Sequence, residues 1–440
     1  MQTLAAVYIL LHFPYLTETF VAQEIQFIQS RGIDVRIISL LKPGPGPVQP
    51  LSQQLLRDTW YAPELLDANL WRAQVHFIRR APRLYWGLLA KLLRQPFPWR
   101  HPELVIKRLV IFLKEVAVAY HLEGDDQVRL LHSHFAWLSG AAAWVCARLL
   151  NLPFTVTVHA YDLYSYKSDL LRLVGSQATH VVAISEQNRQ QLITSGVCPA
   201  RAISVIHCGV DLSLAKHGRE VDAQRPANGP VKVLSVGSLV AKKGHACLIA
   251  ACELLNQRGL DFRCTIIGSG PDEPALRRQI QQSGLQERVK ILPACPHPEV
   301  MDAYQQHDLF VLASVVAADG DRDGIPVVLM EAGAFGLPLI STEVSGIPEL
   351  VRHGQTGWLV PPRHVAALAD AISALALDPA LRARLGRNAR ALVEDEFSST
   401  RNAARMASLF RQIRLQLKPN SDTVLQWTTI ESELDLVEES

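Results

Sequence analysis

The chain has 440 residues, with 44 Lys or Arg against 42 Asp or Glu and a formal charge of +2. A hydrophobic content of 48% with 20% charged residues excludes a disordered chain. The near-neutral balance excludes attraction of the whole protein to nucleic acid. At about 150 residues per domain the length suggests two or three domains.

In chain order, Met1 to Leu11 is apolar enough for a signal peptide. No Lys or Arg precedes the run and no small-residue cleavage site follows, so a buried first strand is the better reading. Further strand candidates in the first half are Val35–Leu40, Leu130–His132, Phe154–His159, His180–Ile184 and Ile203–Ile206. In the second half they are Val231–Val236, Phe262–Ile267, Val289–Leu292, Leu309–Leu312, Leu339–Ser341 and Gly357–Val360. Each is nearly uniformly apolar rather than alternating, the mark of strands buried on both faces of parallel sheets. Helical segments such as Phe20–Ser30, Leu248–Arg258 and Glu299–His307 complete a βαβ rhythm. It pauses at Asp222–Pro230 and restarts at Val231, so two doubly wound domains joined by a linker are expected. Ligands should bind in the cleft at the strands' carboxyl ends.

Two regions depart from the rhythm. Residues 60–120 are helical in flavour, and from Arg72 to Lys114 hold ten Lys or Arg against one acidic residue, Glu103. Trp71, Tyr85, Trp86, Phe97, Trp99 and Phe112 are interleaved. Two readings are open: a surface for anionic headgroups and acyl chains, or helices with core aromatics and solvated charges. From Lys418 onward six acidic residues and little periodicity suggest a mobile tail. Leu104–Tyr120 is interrupted by Lys107, Arg108, Lys114 and Glu115, so no transmembrane helix is expected. The seven cysteines form no CxxC pair and read as reduced thiols, which favours the cytosol.

The sharpest motif runs from Asp323 through Gly324, Ile325 and Pro326 to Glu331, with Gly336 and Pro338 closing the helix. Loop amides at Gly324 and Ile325, with the positive helix end, form an anion site. The carboxylates suit sugar or ribose hydroxyls; the bland alternative is a helix-start acid and a solvated glutamate. After Val231–Val236 come Gly237, Ser238 and, in the same turn, Lys243, a set that can present amides and an ammonium to a diphosphate. Gly268 and Gly270 form a third Gly-rich turn, without a full GxGxxG. His159 falls at a strand's carboxyl end, where it can donate to a substrate hydroxyl or leaving group, or be a satisfied structural histidine. His132 and His134 flank another strand end and carry less weight. Asp319-Gly-Asp-Arg-Asp323 twice spells Asp-x-Asp, but acids in such loops are usually turn formers, and no metal is assigned.

Val236–Gly244, Gly268–Pro271, Asp323–Glu331 and Ser345–Val351 occur in an order and spacing that resembles the nucleotide-sugar-dependent glycosyltransferases of family 4. That resemblance covers residues 1 to about 417. Phe13–Phe20, His132–Phe135 and His207–Asp211 are similar to the branch for colanic acid and other exopolysaccharides. It implies the α/β GT-B fold, two Rossmann-like doubly wound domains facing across a cleft. The boundaries read as 1–215 (acceptor side, insert at about 60–120), 231–397 (nucleotide-sugar side), a helix 398–417 crossing back, and an acidic tail 418–440.

The resemblance further implies a retaining, metal-independent hexosyltransferase using a UDP- or GDP-linked sugar, without a cofactor. Its acceptor would be a glycan or lipid-linked glycan; since lipid-linked acceptors sit at the cytoplasmic leaflet, the basic aromatic segment 72–114 offers a way for a cytoplasmic enzyme to dock there. Glu331 would hold the ribose and Asp323 the donor-sugar hydroxyls. Lys243, with amides around Gly324 and Gly346, would neutralise the diphosphate. His159 would lie by the transferred sugar, and the Thr17, Glu18, Thr19 loop would close over the phosphates. Two departures stand out: Ser238 replaces the family's usual Arg, and Asp323 its usual Glu. They keep open a weak or inactive GT-B scaffold that binds nucleotide sugar or glycan; an epimerase of the same fold is opposed by the acid-x7-Glu segment.

Overall fold

The protein is described by a computed structural model covering residues 5–14, 19–44, 50–95, 103–164, 170–215 and 229–416. The first sheet has seven parallel strands: β1 (Ala5–His12), β2 (Asp34–Leu41), β3 (Thr59–Tyr61), β4 (Val128–His134), β5 (Phe154–Val158), β6 (His180–Ala183) and β7 (Ile203–Val205). Their order is β3-β2-β1-β4-β5-β6-β7. The second sheet has six: β8 (Val231–Val236), β9 (Phe262–Ile267), β10 (Val289–Leu292), β11 (Leu309–Leu312), β12 (Leu339–Thr342) and β13 (Gly357–Val360), in the order β10-β9-β8-β11-β12-β13. The chain therefore has two parallel-sheet Rossmann-like units. In each, strand order reverses beside the first strand, at β1/β4 and β8/β11, which opens a crevice at the carboxyl ends.

Most of the apolar runs are inner strands, and every residue of β5 and β11 is buried; β7, β10 and β13 lie on sheet edges, and β10 alternates buried and exposed residues. The strand missing from the sequence reading, β3, is three half-buried residues on the sheet edge, paired only with β2. On one face of the first sheet, helices Glu103–Leu122 and Leu138–Leu150 bury Phe112, Val116 and Trp144 against Val7 and Val156. On the other, helix Thr19–Ser30 packs beside the last helix, Ser399–Gln416, and together they bury Ala407, Phe410 and Ile413 with Tyr8 and Ile25. That last helix leaves the second unit through a short pairing of Val210 with Phe397–Ser399, where Val210 N donates to Phe397 O at 2.9 Å.

The basic segment forms helices Ala68–Arg80 and Pro82–Leu93 and the start of Glu103–Leu122. Its aromatics divide: Tyr85 and Phe112 are core, while Trp71 and Trp86 are 51% and 55% exposed. Its charges divide too. Arg108 is buried, and Lys114 is buried with its Nζ 3.1 Å from Glu64. Phe97, Trp99, most of the expected linker and the acidic tail lie outside the described residues. All seven cysteines are free thiols, three of them only half-buried. Among the described residues, no helix is long and apolar enough to cross a membrane.

Candidate active site

Three βα turns of the second unit meet at its crevice. Gly237 follows β8 and donates its amide to Ile267 O at 3.0 Å, which ties it to the end of β9. A Cβ on Gly268 would stand 1.9 Å from Gly237 O, and one on Gly270 would stand 2.4 Å from Leu239 O. Both glycines are thus required where two backbones touch. Ser238 is exposed. The aliphatic stem of Lys243 lies over Gly237 and carries its ammonium to Asp323, with Nζ–Oδ2 at 2.8 Å. Lys242 is 3.0 Å from Asp321 and 3.8 Å from Asp323. The Asp-x-Asp carboxylates are therefore engaged: Asp319 accepts the Asp321 amide, and the other two face lysines.

After Gly324, Ile325 and Pro326, a helix runs over Val327–Ala334, with Pro326 just outside it. Its fifth residue, Glu331, is not a solvated face residue. Tyr304 donates its hydroxyl to Oε2 at 3.0 Å, and His297 Nε2 is 2.9 Å from Oε1. Beside this carboxylate the Tyr304 hydroxyl is pushed well above its ordinary pKa, first by burial and then by the Glu331 charge. The hydrogen bond to Glu331 raises the His297 pKa above 6.5. Sequence reasoning missed both partners, because they come from the helix His297–Gln306, remote from the motif in the chain.

The first unit closes over this loop. A Cβ on Gly324 would come 3.3 Å from Ala160 and Ile184, and one on Gly346 would come 2.9 Å from Ser185. The Arg322 guanidinium stacks 4.4 Å over the Tyr164 ring. Glu349, in the same motif as Gly346, reaches across and accepts the Glu186 and Gln187 amides at 2.9 and 3.1 Å. Those amides open the helix Glu186–Thr194, and His207 Nε2 is 3.0 Å from the same carboxylate.

His159 directly follows β5 and is almost fully buried. Its Nε2 is 3.1 Å from His134 Nδ1, and His134 Nε2 is 3.1 Å from Glu24 Oε1. The lightly weighted His134 is thus bonded to the favoured His159, a contact between neighbouring strand ends that linear spacing conceals. Burial, then the electrostatic influence of the neighbouring His134 and His132, lower the His159 pKa well below 6.5. Asp162 ties the two strand ends by accepting the His159 amide at 2.8 Å and the Ala136 amide at 2.9 Å. Burial raises its pKa to about 7. Thr17 and Glu18 lie outside the described residues, and Thr19 opens the first helix.

This is the architecture of a two-domain glycosyltransferase, and the comparisons with known proteins agree. Residues 17–214 match the model of Glycosyltransferase Family 4, and residues 219–392 that of Glycosyl transferases group 1. WcaL of Escherichia coli K12, named for colanic acid biosynthesis, is 32% identical over 92% of this chain and 99% of its own. The amylovoran biosynthesis glycosyltransferase AmsK of Erwinia amylovora is 39% identical over 54% of this chain and 56% of its own. By fold, a Rickettsia africae glycosyltransferase matches with a TM-score of 0.70 at 16% identity, over 95% of this chain and all of its own. HepE of Anabaena, solved with UDP and glucose, matches with 0.66 at 17% identity, over 93% and 99% of the two chains. The chain belongs to the family 4 glycosyltransferases of GT-B fold. Within them it is an exopolysaccharide-type glycosyltransferase, like WcaL and AmsK.

Proposed function

We propose that this glycosyltransferase moves a hexose from a UDP- or GDP-linked sugar to a glycan or lipid-linked glycan acceptor, with retention and without a metal or cofactor. The observation that carries the reading is the pair Lys243–Asp323 at 2.8 Å, with Glu331 held eight residues further on by Tyr304. Lys243 has the place and charge to meet a diphosphate as it leaves, and amides at Gly324 and Gly346 add oriented dipoles. Glu331 accepts ribose hydroxyls, and Asp323 accepts donor-sugar hydroxyls. The acceptor attacks from the face the diphosphate leaves, its proton passing to the departing phosphate, so no protein nucleophile is used. Crystals of HepE with UDP-glucose support the donor class, as a property of a relative in fold. The test is transfer by purified protein across a panel of nucleoside diphosphate hexoses, with the product's anomeric configuration read by NMR. Undiminished transfer by Glu331→Ala would remove that residue's role.

One observation favours a second reading, a scaffold that binds nucleotide sugar without turnover. Ser238 is exposed where a diphosphate-pairing Arg is usual, and the nearby Lys242 is turned towards Asp321. Calorimetric binding of UDP or GDP with no transfer from any donor would favour it.

The helices Ala68–Arg80 and Pro82–Leu93 support a further element, docking on the anionic cytoplasmic leaflet where lipid-linked acceptors lie. Trp71, Val75 and Trp86 stand exposed among Arg72, Arg79, Arg83, Lys91 and Arg94. Indole rings and long cations suit the boundary between headgroups and acyl chains.

A further inference from the structure

His159 does not stand alone behind the cleft. Tyr8 donates its hydroxyl to Glu24 Oε1 at 2.6 Å, and His134 Nε2 approaches the same oxygen at 3.1 Å. Burial opposes the Glu24 charge, but the His134 charge and hydrogen bond, with His132 and Tyr8, hold this carboxyl below its ordinary range. Glu24 is therefore an acceptor, and His134 Nε2 carries a hydrogen. The remaining link, His134 Nδ1 to His159 Nε2 at 3.1 Å, holds one proton between two nitrogens.

Two arrangements satisfy that link. With both rings neutral, His159 donates Nε2–H to a bare His134 Nδ1, and its own Nδ1 is bare. With His134 charged, His134 donates Nδ1–H, His159 Nε2 is bare, and the His159 proton sits on Nδ1. Both rings charged would place two cations 3.1 Å apart in a buried site, which desolvation and repulsion oppose. No hydrogen bond of His159 Nδ1 is found among the described residues, and the next residue, Ala160, lies against Gly324 of the acid loop.

We propose that Glu24, acting through His134, is a positioning residue that sets whether His159 Nδ1 accepts or donates a hydrogen bond to a sugar hydroxyl in the cleft. When His159 takes a proton at Nδ1, its Nε2 proton passes to His134 Nδ1, and the positive charge settles beside the Glu24 carboxylate. Atoms and charge balance, because one proton enters the chain and the pair Glu24–His134 becomes a neutral ion pair. The proposal rests on the glycosyltransferase reading for its ligand, and on the rings of Tyr8, His132, His134 and His159 with the Glu24 carboxylate for its protonation pattern. The titratable groups facing the chain are Tyr8 on β1, Glu24 on the first helix, and His132 on β4. Asp162 bonds the His159 amide, and His207 and Cys208 line the small cavity beside Glu24. His132 is taken up by Thr155 and Thr157, and burial lowers its pKa to about 3, so it remains neutral.

The test uses full-length protein labelled with ¹⁵N histidine. Long-range proton–nitrogen spectra read each ring's tautomer and charge from pH 5 to 9, with His134→Gln and His159→Gln supplying the assignments. The wild-type protein should show His159 reversing its tautomer over one pH interval. In Glu24→Gln that interval should move down by about one pH unit, since the stabilising charge is gone. The bend in kcat against pH should move with it, while KM for the donor does not. A His159 tautomer constant across the range, or an unmoved midpoint in Glu24→Gln, would overturn the proposal. If Glu24→Gln fails to fold, the wild-type spectra alone still decide. Spectra as expected without any sugar transfer would count against the glycosyltransferase donor and acceptor, not against the relay.

Discussion

Lys243 Nζ lies 2.8 Å from Asp323 Oδ2, across eighty positions of chain, and both side chains are largely buried. On the proposed reading, the ammonium that would meet a diphosphate is already held by the carboxylate that would meet the sugar. If Lys243 stabilises the leaving diphosphate as proposed, removing it takes away transition-state charge stabilisation. Lys243→Ala should lower kcat by about 10²–10³-fold, the range for a lost oxyanion donor. Asp323→Ala behaves differently. It frees the ammonium, so UDP or GDP alone should bind as well or up to about tenfold tighter, roughly 1.4 kcal/mol. Transfer should nevertheless fall. Calorimetry with the bare nucleotide and initial rates with the donor separate the two. Weaker nucleotide binding in Asp323→Ala would mean that the pair positions Lys243 rather than restrains it.

Glu331 depends on Tyr304 and His297 for its orientation. Tyr304→Phe removes one hydrogen bond to a charged group, worth about 1.5–3 kcal/mol. KM for the donor should rise about tenfold or more with kcat little changed, as expected for binding felt equally in ground and transition states. The His297 link has a definite pH sign. Its folded pKa lies above the unfolded 6.5, so its stabilisation is complete below that pH. It is lost as pH rises through the folded value. Melting temperature measured upward from pH 6 should decline more in wild type than in His297→Gln. Parallel curves would remove the ion pair from the account.

Glu349 bridges the two units through the Glu186 and Gln187 amides. Burial works against its charge, but the His207 hydrogen bond and the Glu186 and Gln187 amides hold its carboxyl below the ordinary range. The sign is opposite to that of His297. The contribution is present above the unfolded value of about 4.5 and lost as pH falls through the folded one. Glu349→Ala gives up charged hydrogen bonds worth about 2 kcal/mol, which shifts a closed–open equilibrium about thirtyfold. Small-angle scattering should show a larger radius of gyration for this variant, and wild type should approach it in acid. An unchanged radius would leave Glu349 as a local helix cap.

The strands were legible because the inner strands of a parallel sheet, covered on both faces, are largely apolar; β8, β9 and β11 match their sequence runs residue for residue, and so do the edge strands β10 and β13. β3 was not, because a three-residue edge strand has neither length nor full burial to mark it. Of the site, the motif residues were readable because loop glycines, a lysine and two acids fall in one order. Their partners were not. Tyr304, His297, His134 and Glu24 owe their places to crossovers that bring remote segments together, and no local spacing encodes those distances. The same limit affected the basic segment. Composition left the ten cations open to a membrane-facing surface or to ordinary solvated faces, whereas the periodicity of helix Glu103–Leu122 turns Arg108 and Lys114 inward.

That division sharpens the docking prediction. Only the outward set can meet a membrane, so the effect should follow Trp71, Trp86, Arg79 and Arg83 and not the buried pair. Wild-type protein should pellet with phosphatidylglycerol vesicles and not with neutral phosphatidylcholine vesicles. Raising the salt should release it, because exposed charges are screened within about 10 Å at 0.1 M. Each cation near an anionic surface is worth about 1 kcal/mol. Arg79→Ala with Arg83→Ala should therefore lower partitioning about thirtyfold, and Trp71→Ala with Trp86→Ala should lower it without altering the salt dependence. Both double variants should keep full transfer to a soluble acceptor, since neither alters the cleft. Equal pelleting of wild type and both variants would return these helices to the ordinary reading, core on one face and solvated charge on the other.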